Sequence, residues 1–327
     1  MKDDVKISID FTVGDWKKLR PRLKIGSNDH WDDAFKVFQD KIDSRFLIPI
    51  EKIKSIGKNT GEGFSIALIS VVLLEFIAAF EYGRIYNHKK NELCPNEYYD
   101  SVNLLKLFFK YSNVFQSQSL SNTTIQRFYD NIRCGLVHQA RTMRSDIIIS
   151  ENSTKNVKRD LFYFAHEGEY RLNRDLLLKL IKYEINNYRE IIVEQGVDIY
   201  RKSFLIKIDE LAGLDHAWYF NYESNLNNTQ LTERLNNLND TYLFDQRCCL
   251  NKYTLVNNIK GRNKEYINEE EDGVVEGTAY LILKSTIDSL LIEDCKKGFQ
   301  NKQVQLIYKP TNQNGAELCF NAYTYII

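Results

Sequence analysis

Residues 64–82 read FSIALISVVLLEFIAAFEY, a nearly uninterrupted apolar run. Its length approaches the roughly 20 residues that a membrane-spanning helix needs. Glu75 stands near its middle, however, where a carboxylate in hydrocarbon would cost about 3 kcal/mol. A helix that is apolar on nearly every face is typical of the centre of a helical bundle. The run therefore predicts a buried central helix and no membrane partner.

The sequence around this run also has helical periodicity. Apolar residues recur at three- and four-residue steps in residues 31–54, 97–112, 122–141 and 174–194. Asn28 or Asp29 is expected to cap the first of these helices, and Asn173 the last. The short runs IIIS (147–150) and FYFAHEGEYRL (162–172) are β-prone and predict a small β-hairpin insertion. Residues 1–205 are thus expected to form an all-α bundle.

The sequence pattern changes from helical periodicity to β-prone segments after about residue 211. β-prone segments, separated by Asn-rich turns and the acidic stretch NEEEDG (268–273), follow one another to the end of the chain: AWYFNY, CLNKYTLV, VVEGTAYLI, KQVQLIYKP and CFNAYTYII. This pattern predicts a second, mostly β domain over residues 214–327. The expected fold class is α+β in two domains.

Composition narrows the function classes. A hydrophobic content of 43% is typical of a globular protein. The balance of 44 Lys+Arg against 44 Asp+Glu excludes the strongly basic composition that by itself indicates a nucleic-acid-binding protein. Residues 214–327 hold 11 Lys+Arg against 15 Asp+Glu, so the slight basic excess lies before them. The six cysteines contain no C-x-x-C pair and the first residues no apolar leader, which predicts a cytoplasmic protein without metal or other cofactor.

Residues 127–144, RFYDNIRCGLVHQARTMR, combine Arg133 and His138 with further arginines. Histidine can move the proton of a ribose 2′-hydroxyl, and an arginine fork can hold the phosphate. Five positions put the two side chains about 140° apart on a regular helix. A helix start near Asn131, a bend at Gly135 or apposition of two copies would bring them together. The structural alternative is an ordinary packed or surface histidine.

The segment FYDNIRCGLVHQA, after a strongly apolar helix, resembles the Arg-x4–6-His motif of HEPN domains. That resemblance implies a helical, dimeric domain that cleaves RNA without metal, with Arg133 and His138 as the catalytic pair. Cys134 departs from the polar residue that often follows the arginine in that family. Glu75 is a candidate to orient Arg133 or His138, or a structural partner of another base. The expected RNA-binding residues are Arg127, Tyr129, Arg141 and Arg144.

Residues 218–235, WYFNYESNLNNTQLTERL, predict a strand, a tight polar turn and a helix. Such a turn can present backbone N–H groups to an anion. The stretch resembles the opening Y-F-x-Y-G-S-N-L of gamma-glutamylcyclotransferase-like domains, and the resemblance continues in order over about 110 residues. It implies a mixed β-barrel in which the turn binds a glutamyl group and a glutamate moves a proton. Tyr222, Glu223, Ser224 and Asn225 match the turn, and Glu293 matches the glutamate.

Glu223 stands where the cyclotransferase-like family has glycine. Its side chain would project where the backbone should approach the ligand, and its charge would repel a substrate carboxylate. Glu293 is therefore either a proton-transfer group or an ordinary surface residue. A sensing, autoinhibitory or dimerising role for this domain is the alternative to catalysis.

Three functional hypotheses follow. The leading one is a metal-independent endoribonuclease, a toxin or antiviral-defence effector, whose C-terminal domain regulates it or senses a small-molecule or protein trigger. Its expected partners are RNA, a second copy in a homodimer and an antitoxin. The second is a gamma-glutamyl-amine cyclotransferase that releases 5-oxoproline and uses the helical domain only to dimerise. The third is a non-catalytic binding protein.

Overall fold

The computed structural model describes residues 1–56, 61–89, 93–144, 146–150, 160–164, 169–222, 228–238, 240–257, 265–296, 300–308 and 318–326. The chain forms two compact units. The helical unit comprises Lys2–Tyr82 and Asp100–Tyr200, and the barrel unit comprises Met1, Gly83–Tyr99 and Arg201–Ile327. Gly83–Tyr99 therefore joins the barrel unit, although it lies within the sequence range 1–205 expected for the first domain. The predicted division into two domains stays a prediction.

The helical unit is built mainly of α-helices. Its helices are Val13–Leu19 (α1), Trp31–Ile42 (α2), Ile48–Ser55 (α3), Glu62–Glu81 (α4), Ser101–Tyr111 (α5), Asn122–Arg127 (α6), Cys134–Gln139 (α7) and Arg174–Arg189 (α8). π-helical turns interrupt or extend them at Asp43–Leu47, Phe128–Arg133 and Glu190–Gln195.

Helix α4 lies at the centre of this unit. It contacts α3, α5, α7 and α8. The ring centroid of Phe38 lies 4.7 Å from that of Phe80 and 5.6 Å from that of Tyr188. Among the described residues, α4 is the one helix that is long and apolar enough to cross a membrane, and 56% of its 18-residue apolar window is buried within the protein. The expected central position of this helix is confirmed.

Local details differ from the expectations in two places and agree in a third. Helix α2 begins after His30, which has φ +65° and no side-chain cap, so neither Asn28 nor Asp29 caps it. The predicted helix 97–112 begins only at Ser101, because the Asp100 side chain accepts the Val102 N–H and caps it there. The cap on α8 is confirmed, since Asn173 Oδ1 accepts the Leu176 N–H at 3.0 Å.

The β insertion is a three-stranded sheet and not a hairpin of the two predicted runs. Its strands are Ile147–Ile149 (β3), Phe162–Phe164 (β4) and Tyr170–Asn173 (β5), with β5 in the centre. β4 and β5, which are only five residues apart in sequence, pair antiparallel within the second run, whereas β3 pairs parallel with β5.

The barrel unit contains a closed five-stranded barrel. Its elements in chain order are Ile85–Tyr86 (β1), Glu97–Tyr98 (β2), Asp198–Leu211 (α9, which begins in the helical unit), His216–Asn221 (β6), Asn228–Asn237 (α10), Phe244–Asn257 (β7), Glu265–Leu283 (β8), Lys284–Lys296 (α11), Gln300–Tyr308 (β9) and Leu318–Ile326 (β10). The strand order is β10–β6–β8–β7–β9, and only β10 and β6 pair in parallel. The predicted mixed β-barrel is confirmed as an architecture.

Aromatic residues fill the barrel and attach Gly83–Tyr99 to it. The Trp218 ring lies 5.0 Å from that of Phe320 and 6.0 Å from that of Phe244. The Arg84 guanidinium lies 5.5 Å from the centroid of the Phe244 ring and donates a hydrogen bond to the Pro95 carbonyl. Burial lowers the pKa of Arg84.

Candidate functional sites

Arg133 forms an ion pair inside the helical unit. Its Nε donates to Glu75 Oε2 at 3.1 Å, and the two side chains are 21% and 16% exposed. Burial by itself would lower the pKa of Arg133, but the Glu75 carboxylate outweighs burial and raises it. The carboxylate that interrupts the apolar helix α4 is thus balanced by the arginine of the Arg-x4-His segment.

His138 lies on a different side of the same helix. The π-helical turn ends at Arg133, so ordinary α-helix connects the two residues and leaves them about 140° apart. His138 is exposed and makes no hydrogen bond or ion pair with any residue that the structure describes. Within one chain, the helix therefore does not bring Arg133 and His138 onto one face.

Gly135 is explained by close packing and not by a bend. A Cβ atom there would lie 2.5 Å from the Arg141 carbonyl oxygen and 3.2 Å from the Met143 nitrogen. Ala140 ends α7 with φ +53°, and the chain returns so that the Met143 N–H donates to the Asn131 carbonyl at 2.8 Å. A helix start near Asn131, one of the ways considered to bring Arg133 and His138 together, does not occur, because Asn131 lies within the π-helical turn.

The other expected RNA-binding residues differ in their surroundings. Arg127 donates from Nε to both carboxylate oxygens of the buried Asp146 at 3.1 Å, and its guanidinium lies 4.6 Å from the Tyr170 ring. Tyr129 lies with its ring 5.5 Å from the Arg133 guanidinium, and burial raises its pKa. Arg141 and Arg144 are both exposed. Arg127 is therefore held by the fold, and the two later arginines face solvent.

In the barrel unit, strand register locates the predicted turn. β10 pairs in parallel with β6 through Tyr323 and Tyr219, so Ile326 falls opposite Tyr222. Ile326 in turn pairs with Gln300, the first residue of β9. Tyr222 and Gln300 therefore lie two strand spacings apart, about 10 Å. Tyr222, the residue before the predicted turn, and Gln300, the first residue of β9, therefore lie toward the same end of these strands.

Helix α11 must end at this same place. It begins next to the first residue of β6, because the Lys284 N–H donates to the Asp215 carbonyl at 2.9 Å. It contacts β6, β8, β9 and β10, and it ends at Lys296, four residues before Gln300. Glu293 belongs to its last turn. The topology thus brings the backbone of Glu293 to the end of the barrel from which the Tyr222 turn departs; the Glu293 side chain lies outside what the structure describes.

The residues just before the turn are tightly packed. Tyr222 is 4% exposed, and its ring centroid lies 6.1 Å from that of Phe220. Gly277 faces this pair, and a Cβ atom on it would lie 2.5 Å from the Asn221 carbonyl oxygen and 2.6 Å from the Phe220 ring. Asn221 Oδ1 is buried without a hydrogen-bond partner among the described residues. Glu223, Ser224 and Asn225 lie outside the described residues.

Sequence reasoning did not predict a pocket that the barrel unit contains. It has a volume of about 240 Å³ and is lined by residues of Gly83–Tyr99, such as Cys94 and Glu97, and by His216 and Trp218. His216 Nε2 lies 3.3 Å from Oδ2 of the fully buried Asp209. Burial first, and then the nearby Glu97 carboxylate, raise the pKa of the Cys94 thiol to about 12, so it is not a ready nucleophile. No short motif contains these residues, since Cys94 and Glu97 lie more than a hundred positions before His216 and Trp218.

No group of three or more His, Cys, Asp or Glu side chains suited to hold a metal ion occurs within the described ranges.

Comparison with known proteins gives structural neighbours only. No family model matches the chain, and no curated protein does. Similar solved structures include an uncharacterized protein from Homo sapiens (21% identity, 34% of this chain and 66% of that one, TM-score 0.27). Others are a gamma-glutamyl cyclotransferase (21%, 34% and 69%, 0.26) and an aig2-like protein from Mus musculus (18%, 34% and 77%, 0.28).

The chain spans just under two thirds of the length of the human protein. At these identities and TM-scores, the matches establish neither an activity nor a ligand for this chain. They concern about a third of it, and the HEPN resemblance of the helical unit stays a prediction.

Proposed function

We propose that the barrel unit is a cyclotransferase that releases 5-oxoproline from gamma-glutamyl amines. The observation that supports this proposal is topological: Tyr222, which precedes the predicted turn, and the last turn of α11, which holds Glu293, lie toward the same end of the barrel. In sequence these segments are about 70 residues apart. Together they supply the two parts that the reaction needs, an anion-binding turn and a carboxylate.

The chemistry assigns each part a role. Backbone N–H groups of the turn hold the glutamyl α-carboxylate. The free α-amine attacks the γ-carbonyl carbon, a C–N bond closes the five-membered ring, and the γ-amide C–N bond breaks. Glu293 accepts the proton that the amine loses and returns it to the leaving nitrogen, which departs as a neutral amine.

Glu223 opposes substrate binding in this proposal. Its carboxylate follows Tyr222 directly and would repel the α-carboxylate of the substrate. We expect Glu223→Gly to lower KM for gamma-glutamyl amines several-fold while kcat changes little, because removing a ground-state repulsion acts mainly on binding.

The test is 5-oxoproline release, measured by mass spectrometry with the full chain and a panel of gamma-glutamyl amines and gamma-glutamyl peptides. Glu293→Gln should lose release, whereas Asp294→Asn, the neighbouring carboxylate on α11, should retain it. Release that is equal in wild type and Glu293→Gln contradicts the assigned role. No release from any compound of the panel, by wild type or by Glu223→Gly, removes the cyclotransferase proposal.

A second candidate, RNA cleavage by the helical unit, is favoured by one specific observation. The Glu75–Arg133 pair fixes the arginine of the Arg-x4-His segment, while His138, Arg141 and Arg144 remain exposed beside it. Since Arg133 and His138 lie on different faces of one helix, a composite site would take the two residues from two copies of the chain. A cytoplasmic homodimer acting on RNA, with an antitoxin or another trigger, belongs to this proposal.

This second candidate predicts that the wild-type chain cleaves total RNA in EDTA and that His138→Ala does not. A mixture of His138→Ala and Arg133→Ala chains should recover up to about a quarter to a half of the activity if sites are shared between copies, because mixed dimers then hold one intact site. His30→Ala serves as the matched control, since His30 lies outside the Arg-x4-His segment, next to the first residue of α2. Equal RNA patterns from wild type and His138→Ala contradict the candidate.

A further inference from the structure

The barrel wall opens between two of its strands. β7 and β9 are neighbours in the closed barrel, but a single residue pair joins them, Cys249 with Ile307. Just beyond this pair β7 is irregular between Asn251 and Tyr253, and Lys252 has φ +67°. A bulge of this kind bends its strand and ends pairing. The recorded pairing of β7 with β9 therefore stops at this one pair, next to the irregularity of β7.

A cleft of about 670 Å³ occupies the opening. It is lined by Leu250, Asn251, Lys252, Tyr253, Glu270, Glu271, Gln303, Val304, Gln305 and Ile307. Continuing the antiparallel register from Cys249 and Ile307 would pair residues 250–253 with residues 306–303. The cleft thus lies where this pairing would have continued, and the two strands are its walls.

The β9 wall presents an unused strand edge. β9 pairs with β10 without interruption from Gln300 to Tyr308, so its backbone is regular. On its other edge, residues 303–306 have no strand partner among the described residues. Unpaired strand edges carry free N–H and C=O groups and accept an added extended chain.

The acidic stretch NEEEDG supplies the charge of this cleft. Between the pairs Asn251–Val274 and Tyr253–Glu269, β8 has four residues where β7 has one, so residues 270–273 form an excursion opposite Lys252. The excursion needs Gly273, since a Cβ atom there would lie 2.3 Å from the Tyr253 carbonyl oxygen. The sequence predicted this stretch as a separator between strands, whereas it lies inside the long strand β8.

Glu270 and Glu271 give the cleft a net negative charge. Both are exposed, and Lys252 is the one lysine or arginine among its lining residues. Neither carboxylate has an ion-pair partner in the described part of the chain. Their charge therefore favours a ligand that carries Lys or Arg side chains.

From the edge, the cleft and its charge, we infer that this opening binds an extended basic peptide segment. The peptide adds as a strand along β9 at residues 303–306, and a Lys or Arg side chain of the peptide pairs with Glu270 and Glu271. β9 and not β7 is the template, because β9 is regular whereas the backbone of β7 is distorted at Lys252, which has φ +67°. The inference does not depend on the cyclotransferase or the ribonuclease proposal.

The experiment measures fluorescence anisotropy of a labelled eight-residue peptide of alternating Thr and Val, with Lys at two central positions, against the full chain. A second peptide carries Glu in place of Lys. A third keeps Lys but is N-methylated at alternate residues, which removes strand hydrogen bonds. We expect binding of the Lys peptide at concentrations below about 1 mM, and no binding of the N-methylated peptide.

Charge variants complete the test. Glu270→Gln combined with Glu271→Gln should weaken binding of the Lys peptide by about two- to fivefold per carboxylate removed. Glu276→Gln, an exposed glutamate of β8 outside the cleft, should leave it unchanged. Glu270→Lys combined with Glu271→Lys should reverse the preference toward the Glu peptide.

Three results overturn the inference: no binding of the Lys peptide up to about 1 mM, equal binding of the N-methylated peptide, or an unchanged preference in the charge-reversed variant. Both carboxylates are exposed, so these variants should fold, and circular dichroism checks this. Because the measurement is of binding, its outcome is separate from that of the 5-oxoproline assay.

Discussion

At the scale of single residues, Gly277 shows how closely the barrel end is packed. The nearest atoms to a Cβ at this position would be the Asn221 carbonyl oxygen at 2.5 Å and the Phe220 ring at 2.6 Å. We expect Gly277→Ala to lower the free energy of unfolding by about 1–3 kcal/mol, because the neighbouring backbone would have to move. Urea denaturation measures this.

Gly26→Ala is the matched control for this change. A Cβ at Gly26 would meet no atom within 4 Å, so we expect a change within about 0.5 kcal/mol. Equal stability of Gly277→Ala and wild type would contradict the packing of β6 against β8.

Glu81 makes the helical unit sensitive to pH. Burial, and then the neighbouring Glu184 carboxylate, raise the pKa of Glu81 well above its ordinary value near 4.5. The folded state therefore keeps a proton that the unfolded state loses, so stability falls as pH rises above about 4.5, by up to about 1.4 kcal/mol per pH unit. Glu81→Gln, which cannot ionise, should remove this slope and be the more stable protein at pH 8.

The measurement is urea denaturation of both proteins between pH 5 and pH 8. Glu51→Gln provides the control, since Lys182 holds the pKa of this largely exposed carboxyl below its ordinary value, so Glu51 is ionised in both states above pH 5 and adds no slope there. A stability that falls with pH as steeply in Glu81→Gln as in wild type would contradict the assignment.

At the scale of elements, helix α4 contributes many fully buried side chains to the core of the helical unit. Leu73 is fully buried, whereas its neighbour Val72 is 42% exposed. We expect Leu73→Ala to cost about 2–5 kcal/mol of unfolding free energy and Val72→Ala about 1 kcal/mol or less. Thermal and urea denaturation compare the two, and similar losses would contradict the central position of α4.

Periodicity predicted where the helices lie but not how they end. The apolar steps of residues 31–54 continue through a π-helical turn at Asp43–Leu47, because a π turn keeps the chain helical and shifts its buried face. The cap at His30 depends on a left-handed backbone conformation that no nearby sequence signal announces. The Asn173 cap was predictable, since the side chain that caps α8 is adjacent to the helix it caps.

The candidate sites, like the helices, were predictable from the sequence only in part. That Glu75 would pair with a base was predictable, because an acidic residue inside an apolar helix needs one. Which base it would be was open between Arg133, His138 and others, and the structure pairs it with Arg133. To place Tyr222 and the end of α11 at one end of the barrel needed the register of three strands, and the cleft at Lys252 needed the irregularity of β7 and β8. Neither property is encoded in a short motif.

At the scale of the whole molecule, the two compact units do not follow the sequence boundary. Gly83–Tyr99 belongs to the barrel unit, as the contact of Arg84 with Phe244 illustrates. This segment lies between two helices of the other unit, so composition alone assigns it to the helical part. Contacts of residues distant in sequence decide its place, and composition does not report them.

Two units with separate cores should unfold in separate steps. We expect two transitions in urea, with Gly277→Ala moving only the transition of the barrel unit and Leu73→Ala only that of the helical unit. Tryptophan fluorescence distinguishes them, because Trp16 and Trp31 belong to the helical unit and Trp218 to the barrel unit. A single transition that both substitutions move equally would contradict separate unfolding.

The most direct test of the central claim is the rate of 5-oxoproline release by the full chain and by Glu293→Gln, with Asp294→Asn measured beside them. If Glu293 moves the proton at the barrel end, the rate falls by about 10²-fold or more in Glu293→Gln and stays within about twofold in Asp294→Asn. Equal rates in all three proteins, or no release by any of them, would contradict a cyclotransferase site at the Tyr222 turn.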